Sequence, residues 1–178
     1  MRLRAPTTDV HASFLEAMAE LAAEGRGGPD DASMIGAEMR AFADTWGSPA
    51  GFAAYVRELR AQALEGTPRP PGYVPSTTLW YVDGPEYLGR LAIRHRPTPH
   101  LLEVGGHIGY DVRPSARRRG HATAMLREAL PIARRLGIAP ALLTCDNGNR
   151  ASRKVIEACG GVLEDERSGK LRFRVPTA

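Results

Sequence analysis

The sequence has 178 residues, a length that suits one domain with its own hydrophobic core. Hydrophobic residues make up 43% of the chain and charged residues 25%, a composition that excludes extensive disorder. The formal net charge is +4, but basic residues are scattered except for a cluster at 113–119, and no aromatic residues alternate with that cluster. The charge pattern therefore predicts no nucleic-acid partner.

The sequence also argues against a membrane partner. No apolar run approaches the roughly 20 residues that a membrane-spanning helix needs, and the start MRLRAPTTDVHASF lacks the apolar core of a signal peptide. We therefore expect a cytoplasmic protein. The two cysteines, Cys145 and Cys159, lie in apolar segments without CxxC spacing or a nearby His cluster, so they are interpreted as packing residues and no metal site is predicted.

The first third of the chain is predicted to be mainly helical. After a short strand-like run at 2–6, apolar residues recur at helical spacing in 11–25, 34–46 and 48–66. The proline-rich segment 67–76 then marks the end of this helical region, because its fixed φ angles and missing N–H donors exclude a central strand.

Strands are predicted to dominate the middle of the chain. Residues 77–84 and 86–96 are β-rich runs separated by DGP, which predicts a hairpin, and Trp80 within it is expected in the core. Residues 97–106 predict a loop, and the β-branched and aromatic run at 107–112 predicts a central strand.

The C-terminal part alternates between helix and strand. Amphipathic spacing predicts a helix over 121–137, an apolar run predicts a strand over 139–146, and a second helix follows over 149–161. Residues 161–175 predict a closing hairpin that turns at 168–169. This order of elements places the chain in the α/β class, with an α+β arrangement.

The segment RPSARRRGHA, residues 113–122, places four arginines and a glycine at the start of a predicted helix. The N-terminus of a helix exposes unpaired N–H groups and the positive end of the helix dipole, and glycine lets a diphosphate approach the backbone. The segment therefore predicts a cradle for a small anion. An ordinary turn with a solvated arginine cluster is the alternative interpretation of the same residues.

This segment resembles the signature of the GNAT family of N-acetyltransferases. Residues 117–122 match the pattern (Gln/Arg)-x-x-Gly-x-(Gly/Ala), with which that family binds the pyrophosphate of acetyl-coenzyme A. The resemblance extends over residues 107–165, which are similar to the two coenzyme-binding segments of the family. The Walker pattern GxxxxGK(S/T) is missing, and no GxGxxG occurs at the strand-to-helix turn, so ATP and NAD are not expected.

The resemblance implies a fold and a domain organisation. It implies the GNAT fold, with a mixed central sheet of about six to seven strands flanked by helices and two splayed central strands that form the acetyl-CoA cleft. We expect a single domain over 1–178, in which 1–66 is a mainly helical, substrate-side region and 76–175 holds the sheet and the acetyl-CoA-binding core.

The resemblance also implies an activity. The protein is expected to transfer the acetyl group of acetyl-CoA to a primary amine by direct attack, and the partner is a small amine or a peptide amine. A catalytically inactive, acyl-CoA-binding regulatory domain is the alternative, and a homodimer is left open.

The expected coenzyme contacts follow from the matched positions. Within the family fold, a backbone N–H near Val112 or Arg113 would point at the thioester oxygen, where negative charge develops during attack. The full set of residues expected to bind the coenzyme is Val112, Arg113, Arg117, Arg118, Arg119, Gly120, His121, Ala122, Thr123, Asn149 and Ser152. Asn149 is interpreted both as a helix N-cap and as a coenzyme ligand.

Three residues are candidates for handling the proton of the amine. Glu103 and His107 lie just before or at the start of the predicted central strand, and Tyr110 lies within it. A surface Glu and a His that is satisfied at a strand end are the structural alternatives. Many family members have a Tyr in the last helix as proton donor to the thiolate, but Ile156 occupies that position here, so the donor stays open.

Overall fold

The computed structural model describes residues 1–177. Seven strands form the centre of the fold, and they are β1 Arg2–Arg4, β2 Ser76–Asp83, β3 Glu86–Arg94, β4 Ile108–Val112, β5 Ala141–Asp146, β6 Val162–Arg167 and β7 Lys170–Val175. Six α-helices surround them, and they are α1 His11–Ala23, α2 Met34–Trp46, α3 Pro49–Ala61, α4 Pro99–Val104, α5 His121–Arg135 and α6 Arg150–Ala158. None of the helices in this described part is long and apolar enough to cross a membrane.

The strands are arranged in two sheets. The first has the order β1-β2-β3-β4 and the second the order β5-β7-β6, and every ladder within them is antiparallel. The predicted mixed α/β fold and the predicted six to seven strands are confirmed. Both predicted hairpins are present, and the second turns at Ser168–Gly169, where both residues have positive φ.

The two sheets meet where β4 begins. The N–H of His107 donates to the carbonyl of Leu142 at 2.7 Å, and the N–H of Leu142 donates to Nδ1 of His107 at 2.9 Å. Gly106 has a φ of +60°, and a Cβ there would collide with the Leu142 carbonyl. The close approach therefore requires glycine. Beyond this vertex β4 and β5 belong to separate sheets, so the strands splay apart.

Two apolar clusters lie on opposite faces of the first sheet. One packs α5 and α6 against both sheets, with fully buried Met125, Leu126 and Phe173. The other packs the first three helices against β2 and β3 and is rich in aromatic rings, including Phe14 and Trp80. The core position predicted for Trp80 is confirmed, since its side chain is fully buried.

The loop predicted over 97–106 is wrong in its central part, which forms α4. Thr98 caps this helix by accepting a hydrogen bond from the N–H of Leu101 at 3.2 Å, and Pro99 occupies its first turn. Thr followed by Pro is a recognisable helix start. The segment is too short to show helical periodicity, which explains why the pattern favoured a loop.

Candidate functional site

A groove of about 350 Å³ opens along β4, on the side from which β5 diverges, at the N-terminal ends of α5 and α6. Its lining residues, which define the β4–β5 groove, are Tyr110, Asp111, Val112, Ala116, Arg117, Arg118, Gly120, His121, Ala122, Thr123, Asn149, Ala151, Ser152 and Val155. The structure thus brings together all of the residues predicted to bind the coenzyme except Arg113 and Arg119. A second hollow of about 390 Å³ beside α1 is lined by Asp9, Glu16 and Glu86 among others, an acidic lining that does not suit a phosphate.

The start of α5 provides the anion-binding features expected of residues 117–122. Gly120 is the N-cap, with φ +82° and ψ 0°, and no side chain caps the helix. The first N–H groups of α5 are therefore left for a ligand. Arg118 also has a left-handed φ of +63°, which is uncommon for a residue with a side chain.

The four arginines of the cluster fall into two groups. Arg113 turns away from the groove and donates to Glu20 at 2.7 Å and to Glu16 and Ser13 at 3.0 Å, all on α1. Arg117 makes a bidentate pair with Glu24, with both N–O distances at 2.8 Å.

Arg118 and Arg119 are exposed and, within residues 1–177, form no ion pair. These two arginines therefore keep their charge available for phosphate groups.

The free edge of β4 faces the groove. The N–H of Arg113 donates to the carbonyl of Leu88 at 2.9 Å, so it is part of the β3–β4 ladder. Antiparallel strands bond at alternate residues, so the N–H and C=O groups of Tyr110 and Val112 point away from β3, toward the space from which β5 has diverged. This edge can pair with an extended ligand as an added strand would.

A hydroxyl pair lies in the groove where α6 begins. The Tyr110 hydroxyl is 2.8 Å from Oγ of Ser152, and the N–H of Ser152 donates to Oδ1 of Asn149 at 3.0 Å. Burial raises the pKa of Tyr110 to about 12, although the hydrogen bond with Ser152 opposes the rise, so the phenol keeps its proton at neutral pH. Asn149 is both the N-cap of α6 and a lining residue, so its two predicted roles are compatible in this geometry.

Glu103 and His107 lie apart from this hydroxyl pair and do not line the groove. The Glu103 side chain, on α4, is 44% exposed and pairs with Arg167 at 3.3 Å. His107 lies at the vertex of the splay, where Nδ1 accepts the N–H of Leu142. Burial, and then the charge of Arg174, lowers the pKa of His107, so the ring is neutral with its proton on Nε2.

Two further side chains bear on which groups can donate or accept a proton. Ile156, on α6, is fully buried in the core and has an apolar side chain, so this position offers no proton donor. His121 is 6% exposed, and its Nε2 has no hydrogen-bond partner within the described chain. Burial, and then the charge of Arg119, lowers the pKa of His121, so this imidazole is also neutral.

Sequence reasoning missed four lining residues, Ala116, Ala151, Val155 and Asp111, and of these only Asp111 is charged. Along β4 its side chain lies on the face opposite Tyr110, toward the connection between α1 and α2, and it pairs with Arg26 at 2.8 Å. Successive side chains of a strand point to opposite faces, so the predicted strand alone could have placed Asp111 opposite Tyr110. Its partner is 85 residues away in sequence, which no local pattern reveals.

These features are those of an anion-binding groove in a mixed α/β fold, and the comparison with known proteins gives the family. Residues 2–162 match the family model described as the acetyltransferase (GNAT) domain, so the chain belongs to this family. The predicted family and the predicted acyltransferase class are thereby confirmed. No curated protein matches the sequence.

Solved structures share the fold. RimJ of Mycobacterium smegmatis, in complex with CoA-disulfide, has a TM-score of 0.65 and 20% identity over 98% of this chain and 80% of its own. The PaiA N-acetyltransferase of Thermoplasma acidophilum, in complex with coenzyme A, has a TM-score of 0.58 and 13% identity over 98% of both chains. A Salmonella typhimurium acetyltransferase that modifies the N-terminal serine of ribosomal protein L7/L12 has a TM-score of 0.55 and 16% identity over 97% of this chain and 91% of its own. The expectation of acetyl-CoA as acyl donor agrees with the coenzyme bound in the first two.

Proposed function

We propose that the protein transfers the acetyl group of acetyl-CoA to a primary amine by direct attack. The observation that carries the proposal is the convergence of three features on one groove. They are the uncapped N-terminus of α5, the free edge of β4, and the Tyr110–Ser152 hydroxyl pair. The helix N-terminus suits a diphosphate, the strand edge suits an extended pantetheine arm, and the hydroxyl pair suits the thioester.

Coenzyme binding is assigned to backbone groups and two arginines. The first N–H groups of α5 bind the diphosphate, and Arg118 and Arg119 neutralise its charge. The pantetheine arm pairs with the β4 edge at the N–H and C=O of Tyr110 and the C=O of Val112, which leaves the N–H of Val112 for the thioester. Arg113 and Arg117 instead pair with Glu20 and Glu24 and so fix the turn between β4 and α5.

The acetyl transfer needs no protein nucleophile. The lone pair of the neutral amine attacks the thioester carbonyl carbon, and the N–H of Val112 stabilises the negative charge on oxygen. The N–H of Arg113, the other group predicted for this role, already donates to Leu88. As the C–N bond forms and the C–S bond breaks, the thiolate takes a proton from the Tyr110 hydroxyl, which Ser152 orients.

The Tyr110 assignment is testable in one variant. Tyr110→Phe keeps the ring and removes the proton, so turnover should fall by about 10²-fold while the dissociation constant for CoA stays unchanged. Steady-state rates and calorimetric CoA binding measure the two quantities. A wild-type rate in Tyr110→Phe would assign the proton to solvent.

Of the residues predicted to take the amine's proton, we propose Glu103, acting through water. His107 uses Nδ1 for the Leu142 bond, and Glu103 can act only through water because it pairs with Arg167. If Glu103 is the base, Glu103→Gln lowers turnover by about 10²- to 10⁴-fold and leaves CoA binding intact. If it serves only the Arg167 pair, the rate per folded molecule is unchanged.

The acceptor is best sought first among peptide N-termini, because one structural relative acetylates an N-terminal serine. Small metabolite amines and lysine side chains complete the panel. Acetyl-CoA should raise the melting temperature, and at least one amine should consume acetyl-CoA at a rate that depends on enzyme. A shift without turnover on any amine would favour the inactive regulatory domain, and no shift at millimolar ligand would refute both.

A further inference from the structure

The acceptor must approach the thioester from one face of β4. The side chains of Tyr110 and Val112 lie on the face that α5 and α6 cover, where the groove holds the coenzyme, so the acceptor comes from the other face. The opposite face carries Asp111, and among the described residues that line the β4–β5 groove Asp111 has the only carboxylate. An amine that reaches the thioester from the open face therefore passes this carboxylate.

The Asp111 carboxylate is held by a cation in this structure. Nη2 of Arg26 lies 2.8 Å from Oδ1 of Asp111, and Nε of the same guanidinium lies 3.2 Å from Oδ2 of Asp31. Asp31 is fixed by the N–H groups of Gly27 at 2.9 Å and Ser33 at 3.0 Å. Two carboxylates thus share one guanidinium, which leaves an excess of one negative charge.

The cation opposite Asp111 on β3 does not compensate this charge. Arg90, the cross-strand partner of Asp111, is buried and forms its ion pair with Glu38 of α2. Nε of Arg26 is buried and has no hydrogen-bond partner in the described part of the chain, although it is within ion-pair distance of Asp31. The Arg26–Asp111 contact is therefore a single hydrogen bond between side chains that are 30% and 24% exposed, a pair weak enough to exchange partners.

We propose that Asp111 binds the ammonium group of the acceptor in exchange for Arg26. The proposal rests on the acetyltransferase function and adds a substrate class to it. An aliphatic amine is protonated at neutral pH and gains a carboxylate partner on binding, whereas an aromatic amine or an alcohol is neutral and gains none. Asp111 therefore selects aliphatic amines, and Arg26 occupies the cation position until one arrives.

Kinetics with two probe amines test the selection. With phenethylamine as the aliphatic probe, Asp111→Asn should raise the apparent KM about tenfold, because a hydrogen bond to a charged group is lost. Aniline, the aromatic probe, should show no change, and the CoA dissociation constant should stay the same. Asp9→Asn, which removes an exposed carboxylate paired with Arg4, is the matched control. Equal effects on both probes would overturn the selection.

A double variant tests the exchange. Arg26→Gln should lower the KM for phenethylamine about threefold, because a competing cation is removed, and it should have no effect on KM in the Asp111→Asn background. A rise in KM for Arg26→Gln alone would overturn the exchange and make Arg26 a positioning residue.

An NMR titration, which needs no turnover, tests the exchange independently of the acetyltransferase function. In NMR spectra of the CoA complex, the Arg26 Nε–H signal, assigned with Arg26→Lys, should shift on titration with n-butylammonium chloride. It should not shift with sodium chloride at equal ionic strength. Acetyl transfer without this shift would refute the exchange alone, and the shift without acetyl transfer to any amine would refute only the catalytic function.

Discussion

Arg118 combines a left-handed backbone with a charge that has no ion-pair partner within residues 1–177. Its φ of +63° costs about 1–2 kcal/mol relative to glycine, yet the chain places an arginine there, two residues before Gly120. An arginine in a strained backbone position, beside an uncapped helix, indicates that the guanidinium has a use that outweighs the strain.

Arg118→Gly separates the strain from the charge. Glycine relieves the left-handed strain but has a larger unfolded-state entropy, so the free energy of unfolding should stay within about 1 kcal/mol of wild type. The affinity for CoA should fall about tenfold through the loss of a charged phosphate contact. Urea unfolding and calorimetric titration at two salt concentrations measure the two effects. Unchanged CoA affinity would remove Arg118 from the binding site.

At the scale of elements, α1 supports the turn between β4 and α5. Glu16, Glu20 and Glu24 recur every four residues and therefore form a row on one side of the helix. Glu20 accepts from the Arg113 side chain at 2.7 Å and from both N–H and Oγ of Ser115 at 2.9 Å. The row thereby fixes the turn between β4 and α5 from outside the groove.

Glu20→Gln should loosen this turn, and the loss in the free energy of unfolding should depend on pH. Burial opposes ionisation, but hydrogen bonds from Ser115 and Arg113 outweigh it and lower the pKa of Glu20 below the usual 4.5. A depressed pKa stabilises the fold above about pH 4.5, and the stabilisation is lost as pH falls through the folded-state value. The variant should lose about 2 kcal/mol at neutral pH and approach wild type in acid. An equal loss at both pH values in urea unfolding would show that the charge is irrelevant.

At the scale of the whole molecule, sequence separation decides what could be predicted. The pattern at 117–122 and the N-cap Asn149 are local features, so the sequence was sufficient to predict the start of α5 and the capped start of α6. The contacts that complete the site join residues far apart in sequence. Tyr110 and Ser152 are 42 residues apart, and Arg113 and Glu20 are 93 apart. Local periodicity carries no information on such pairs, and for this reason Arg113 was expected at the coenzyme and Asp111 was overlooked.

Three histidines also make the whole fold sensitive to pH. His95, His107 and His121 each have a pKa lowered from 6.5, in every case first by burial. A depressed histidine pKa means that the unfolded chain binds more protons between the folded and unfolded values. Stability is therefore greatest above about pH 6.5 and falls as the pH drops from there toward the folded-state values.

His107→Asn tests how much of this fall arises at the vertex. The Asn amide oxygen can replace Nδ1 as acceptor for the N–H of Leu142, but it does not titrate. At pH 8 the variant should therefore lose no more than about 1–2 kcal/mol, from altered packing. Between pH 7 and pH 5 its unfolding free energy should fall less steeply than that of wild type. His100→Asn, at an exposed histidine of α4, is the control and should keep the wild-type slope. If the slope of His107→Asn also matched wild type, the pH dependence would arise at His95 or His121 instead.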